Sequence, residues 1–139
     1  LPAGFAWPKW VSIVFSLLIA LPSLTLLVVG MQDAGSEAIA PAKENRLYSK
    51  GIYLQIRHPQ SYEALLWPAI AFGLNSPLLF WISLPWLLLE YIMVMAEEFD
   101  LLLRFGEPYL EYRRSTGAFI PHDFINKIKQ AEIFRKKKE

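Results

Sequence analysis

Apolar residues in this chain fall into two blocks, and the polar and ionisable ones gather at the ends of those blocks. The first block runs from Trp10 to Met31, interrupted by small or neutral residues and by Pro22. About 20 residues at ~1.5 Å each match the roughly 30 Å hydrocarbon thickness of a bilayer, so the pattern predicts a membrane span over 8–31. A secretory signal has a shorter apolar core, a basic front and a small-residue cleavage site. Here the early base is Lys9 alone, and the run is too long. The second block, Ala64 to Ala96, is almost wholly apolar apart from Glu90, and it divides at Asn75-Ser76-Pro77. That tripeptide is a turn signal, with proline disfavouring helix in the residue before it.

A helical hairpin over 59–96 follows. Its second arm, Pro77 to Ala96, is about 20 residues, enough to cross once. The first arm has to begin near Pro59 to reach a comparable depth. Two arms leaving one tight turn bring Arg57–His58 and Glu97–Glu98 out at a similar level on the same membrane face. Bases follow both blocks: Lys43, Arg46, Lys50 and Arg57 after the first, Arg104, Arg113 and Arg114 after the second. By the positive-inside tendency these segments are cytosolic. The expected fold is all-α, a multi-pass bundle of about three membrane spans including the tight hairpin, plus cytosolic C-terminal helices. It forms one membrane domain over 1–139, divided into the span 8–31, a cytosolic connector 32–58, the hairpin 59–96, and a cytosolic segment with a basic tail over 97–139. The connector has helical potential around Ala38 to Leu47.

Composition agrees with a membrane class. The 139 residues are 54% hydrophobic and only 19% charged, against about 25% charged in soluble domains. A net charge of +1 gives no reason to expect a nucleic-acid partner. The absence of cysteine excludes disulfides, thiolate metal sites and cysteine nucleophiles. Two histidines are too few for a His-rich metal centre, and no metal site is expected. Dinucleotide-binding, P-loop, zinc-protease and nucleophile-elbow motifs are missing from the sequence. Glu90 lies about 20 Å into the second arm, where an ionisable group ordinarily faces a protein interior or cavity. It is either an interhelical hydrogen-bonding or protonated carboxyl, or a wall of a substrate or cofactor cavity; Glu97 shares nearly the same helical face.

Two polar signatures bracket the hairpin. The first is Gly51, Tyr53, Arg57, His58, Pro59; the second is Glu97, Glu98, Leu101, Phe105, Gly106, Tyr109, Tyr112, followed by Phe119-Ile120-Pro121. This pattern resembles the integral-membrane methyltransferases typified by isoprenylcysteine carboxyl methyltransferase, with phospholipid methyltransferases as more distant relatives. The resemblance covers about Gly51 to Pro121. It implies S-adenosyl-L-methionine as methyl donor and a lipid-like, amphiphilic or prenylated acceptor, family-typically the carboxylate of a prenylated cysteine. It also implies an integral membrane protein with its site on the cytosolic face and 97–139 carrying part of the cofactor pocket. Carried over residue by residue, Tyr53, His58, Pro59, Glu97, Glu98, Tyr109 and Tyr112 are candidates for the cofactor pocket. Arg57 and Glu98 are the candidate catalytic pair, Arg57 orienting the acceptor, and Glu90 and Tyr62 are candidates for the substrate cavity.

The chemistry suits those residue types. Methyl transfer from a sulfonium is an in-line displacement that depends mainly on positioning two partners, worth roughly 7–11 kcal/mol. Aromatic faces attract a sulfonium, and carboxylates accept from ribose hydroxyls or an ammonium. Plainer roles stand beside these. Arg57 and Lys50 suit interfacial charges, Glu97–Glu98 a solvated helix end paired with Arg104 or Arg113, Gly106 a helix stop, and Tyr109 and Tyr112 interfacial anchors. His122 suits a surface position, Phe124 to Arg135 a weakly amphipathic stretch, and Lys136–Lys138 solvent or anionic lipid. The sequence departs from the family order at Ser61, Tyr62 and Glu63, at Thr116-Gly117, and at Met93, where many relatives carry a base; that departure leaves the acceptor open. A nicotinamide-dependent membrane reductase of the sterol type and a non-catalytic membrane partner are the alternative readings.

Overall fold

Proline and glycine set the helix limits. In the computed structural model, which describes residues 2–35, 50–124 and 126–127, α1 (Lys9–Ala34) starts directly after Pro8 and stops before Gly35 at φ 58°. Helix α2 is short, Leu66–Gly73, and α3 runs from Pro77 to Phe105. Ser76 caps α3, its hydroxyl accepting from the Leu79 N–H at 3.3 Å, with Pro77 in the first turn where no donor is needed. Gly106, at φ 61°, ends α3 and turns the chain into α4 (Glu107–Ser115). The described residues are helical with no strand, apart from a single parallel bridge between Ile56 and Gly117.

The hairpin turn is built as its sequence suggests. Asn75 takes the left-handed conformation at φ 52°, which asparagine tolerates better than most residues. Its side chain accepts from Ser12 at 2.8 Å, and Ser12 in turn accepts from Trp7 Nε1 at 2.8 Å. Phe5, Trp7, Phe15, Phe72 and Phe80 stack around this tip, the closest ring centroids 4.8 Å apart.

The first arm of the hairpin differs from the expected α-helix. Gln60–Leu65 is a 3-10 helix, and α-helix begins only at Leu66. Pro68 supplies the reason: it has no N–H to give the Ala64 carbonyl, so the α-ladder cannot run back past it. The tighter winding lengthens the arm, because six residues at ~2.0 Å and eight at ~1.5 Å reach about 24 Å. It packs antiparallel along α1, from Pro59 against Gly30 at one end to Asn75 against Ser12 at the other. In between, the Ser16 hydroxyl donates to the Ala69 carbonyl at 2.7 Å.

Two helices, α1 and α3, are long and apolar enough to cross a membrane. Their packing is inverted relative to a soluble helix. The buried residues of α1 are Ser12, Ser23, Gly30 and Ala34, while Leu18, Leu21 and Val28 face outward. On α3, Pro77, Ser83, Val94 and Glu98 are buried while Leu88, Met93 and Leu103 are exposed, so Val94 is the one large apolar side chain of the four. Small and polar groups inside with large apolar ones outside is the arrangement that lipid favours and water penalises. Helix α3, at 29 residues, measures about 43 Å, longer than a hydrocarbon core of roughly 30 Å. The predicted helix at Ala38–Leu47, most of Phe124–Arg135, and Lys136–Lys138 lie outside the described residues.

Candidate functional site

The segment carrying Arg57-His58-Pro59 is held from two sides. From α1, the Asp33 carboxylate accepts from the Ile52 N–H at 2.6 Å, capping the 3-10 turn Gly51–Leu54. Gly51 is at φ 57°, and a Cβ there would collide with the same carboxylate. Pro59 is buried on Gly30, where a Cβ would come within 2.9 Å of the Pro59 ring. From the C-terminal side, the Arg57 N–H donates to the Gly117 carbonyl at 2.9 Å and the His58 N–H to the Ala118 carbonyl at 3.0 Å. The Gly117 N–H returns a bond to Gln55 at 3.1 Å. Tyrosine hydroxyls lock the frame, Tyr112 donating to the Tyr53 carbonyl at 2.6 Å and Tyr62 to the Phe119 carbonyl at 2.7 Å.

This scaffold brings Arg57 and His58 onto the end of α3. Arg57 Nε and Nη2 both lie 2.8 Å from Glu98 Oε1, and the two side chains are 8% and 5% exposed. His58 Nε2 is 3.2 Å from the same oxygen, and Arg113 Nε is 3.5 Å from Oε2. The remaining Arg57 nitrogen donates to the carbonyls of Arg113 and Thr116. Every guanidinium nitrogen is thus engaged within the chain, so Arg57 and Glu98, the expected catalytic pair, hold each other. Glu97 differs from its neighbour: it is 61% exposed, with Oε2 3.5 Å from His58 Nδ1. Arg104 pairs with Asp100 at 2.5 Å instead of joining this cluster.

Tyr109 and Tyr112 complete the polar end, their ring centroids 6.2 Å apart. Tyr109 is fully buried, and its hydroxyl is the one buried side-chain polar atom among the described residues without a hydrogen-bond partner. Burial pushes both phenols above the ordinary tyrosine range, with the Glu98 charge adding to the effect at Tyr109. Tyr53 accepts from Gln60 Nε2 at 3.0 Å and lies 3.4 Å from the Gly30 carbonyl.

Glu90 and Tyr62 lie apart from that cluster, on a groove of about 290 Å³ between the first arm, α3 and the Phe119–Ile120 turn. Leu65, Leu87, Tyr91 and Phe119 form much of its remaining wall. Phe119 joins groove and cluster, its ring centroid 6.2 Å from that of His58. Glu90 has no hydrogen bond or ion pair among the described residues.

Several participants carried little signal in the sequence. Asp33 sits on the far side of a long connector from the turn it caps. Thr116 and Gly117 contribute backbone carbonyls, which any residue type supplies; the departure from the family order marked their position but not this role. Arg113 was visible as a partner for the carboxylate pair, and Tyr91 had no motif to mark it. No family model matches the chain, and neither a curated protein nor a solved structure matches it.

Proposed function

We propose that this protein is a membrane-embedded S-adenosylmethionine-dependent methyltransferase that acts on a lipid-like acceptor at the cytosolic face. The observation that carries this reading is the meeting of Arg57 and His58 with Glu98, which joins the two signatures into one site. The donor set fits the cofactor. A buried tyrosine hydroxyl with no partner among the described residues stands in the same cluster as an exposed carboxylate, and the Tyr112 ring lies 6.2 Å from that of Tyr109. When bound, the cofactor supplies an electrophilic methyl group on a sulfonium. Glu97 and Tyr109 would hold it, His58 lining the pocket beside them, with Tyr53, Pro59 and Tyr112 behind. Arg57 and Glu98 then act as positioning residues that keep the walls of the pocket in register. Ordering of this kind is where methyl transfer gains most.

In this reading α1 and α3 each cross the bilayer, and the stretched arm Gln60–Gly73 crosses as a third, thinner span. Arg57, Arg104, Arg113 and Arg114 then share the cytosolic side with Glu97 and Glu98. The prenylcysteine carboxylate is the acceptor that the family resemblance brings with it.

Calorimetry in a neutral detergent, comparing S-adenosylhomocysteine with NADPH, tests the proposal. S-adenosylhomocysteine is expected to bind, and Tyr109→Phe to weaken it by about 3- to 10-fold, the worth of one hydrogen bond. NADPH binding in its place would point to a reductase. Binding of neither would point to a non-catalytic partner.

A further inference from the structure

The groove beside Phe119 holds a carboxyl group, that of Glu90, with no hydrogen bond or ion pair among the described residues. Glu90 shares the wall with Tyr62, Tyr91, Phe119, Ser61 and aliphatic residues such as Leu65 and Leu87, and among the described residues no lysine, arginine or histidine lines it. We infer that this groove binds the headgroup of an amine-bearing amphiphile, with the Glu90 carboxylate and the flanking aromatic rings receiving the ammonium. As the methyl acceptor such a molecule rests on the methyltransferase reading above; as a ligand it rests on the groove alone.

Two observations support the choice of an amine, and a third the choice of an amphiphile. First, a carboxylate in a groove that Tyr62, Tyr91 and Phe119 also line is a side-chain set that attracts an alkylammonium, because carboxylate and ring quadrupoles pull in the same direction. Second, a carboxylate headgroup would lie beside Glu90 with no cation among the described lining residues to offset two like charges. Met93, one helical turn beyond Glu90, is uncharged and exposed, so the helix offers no substitute base there. Third, Tyr91 and Ile120 at the rim are half exposed, and Leu88, Leu89 and Ile92 nearby on α3 face outward. A ligand entering past these residues arrives through an apolar surface, which selects a molecule with an alkyl tail. At about 290 Å³ the groove is at the small end for ligand sites, enough for a headgroup and the start of a chain whose remainder stays outside.

The test is competitive photo-crosslinking of the full chain in maltoside micelles at neutral pH. The probe is a diazirine-bearing long-chain alkylamine, and dodecylamine, dodecanoate and dodecanol are the competitors. Labelling is expected on peptides containing Tyr62–Leu65, Leu87–Tyr91 and Phe119–Ile120. Dodecylamine is expected to compete about tenfold better than dodecanoate, with the alcohol between them. Glu90→Gln should shrink that preference to within about twofold, and Glu90→Asp should retain most of it, because the charge is kept. Equal competition by all three headgroups, or the same preference in Glu90→Gln, would overturn the inference. If Glu90→Gln fails to fold, the wild-type ranking alone decides. S-adenosylhomocysteine calorimetry on the same preparation separates the two readings. Amine preference without cofactor binding removes the methyltransferase and leaves the groove assignment standing. Cofactor binding with no headgroup preference does the reverse.

Discussion

Glu98 and Glu90 stand on the same helix, eight residues apart, and the chain treats them oppositely. Glu98 is buried with Arg57 and His58 on one oxygen and Arg113 near the other. Glu90 meets a mostly apolar and aromatic surface and, among the described residues, no cation. Near one carboxylate the polypeptide has supplied its own counter-charges, and the result is a joint that holds two distant segments together. Near the other the described residues supply none, and this is the basis for inferring a ligand there. Partner saturation, more than depth or residue type, is what distinguishes these two acids.

The largest effect should come from breaking the saturated joint. Arg57→Ala leaves Glu98 buried without its main partner, which typically costs about 3–5 kcal/mol. Thermal unfolding in detergent should register this as a large loss of stability. Replacing both members by apolar residues, as in Arg57→Met with Glu98→Leu, should recover much of that loss, because an ion pair taken from water gains little over good packing. A single variant with less than about 1 kcal/mol of cost would mean that water reaches Glu98, and the contrast with Glu90 would fail.

Next comes the clasp behind the joint. A Cβ on Gly117 would run into the Ile120 carbonyl, so Gly117→Ala has to push the turn away from Arg57 and His58. Overpacking of this sort costs about 1–3 kcal/mol. Hydrogen exchange should show lost protection at the Arg57 and His58 amides, which donate to Gly117 and Ala118. Retained protection at both amides would show that the turn relaxes without the segment and that the clasp is not what positions it.

Tyr112 gives a smaller effect with a pH signature. Tyr112→Phe removes the bond to the Tyr53 carbonyl, worth about 1 kcal/mol. Burial holds the folded phenol well above its ordinary value of 10.0, so the folded state keeps a proton that the unfolded chain gives up. Above that ordinary value the unfolded state binds fewer protons than the folded state, and stability falls as pH rises. Below it the contribution is fully present. Wild type should therefore lose stability through the alkaline range from about pH 10 upward, and Tyr112→Phe should lose less. Tyr109, raised in the same direction, leaves a residual slope in the variant. Identical alkaline slopes for the two proteins would mean that Tyr112 is not held in its protonated form by the fold.

How much of this was legible in the sequence depends on what kind of signal each part leaves. The two long helices announce themselves through unbroken apolar runs, and the turn between α2 and α3 through Asn75-Ser76-Pro77. Gly106 could be read as a helix stop because only a few residues accept its backbone angle. The 3-10 winding of Gln60–Leu65 was hidden, since it follows from a single missing N–H at Pro68, weighed against contacts with α1. Hidden too was the pairing of Gln55–His58 with Gly117–Ala118. Such pairing uses backbone atoms in two short segments, and neither has a period to detect. Charges could be seen to converge from the hairpin geometry alone. Which of them would cancel was settled by the backbone hydrogen bonds that aim Arg57 at Glu98.

The smallest expected change in stability sharpens the comparison most. Glu90→Gln alters a carboxyl that has no hydrogen bond or ion pair among the described residues, so none of theirs is lost and the site becomes no harder to bury. Unfolding in detergent should shift by under about 0.5 kcal/mol, or move slightly toward greater stability. The same substitution at Glu98 strands Arg57 and should cost several-fold more. Measured side by side, the pair asks whether a carboxylate on this helix serves the fold or waits for a ligand. If Glu90→Gln destabilised the protein as much as Glu98→Gln, Glu90 would have a structural partner after all. The groove would then have no free charge with which to select a headgroup.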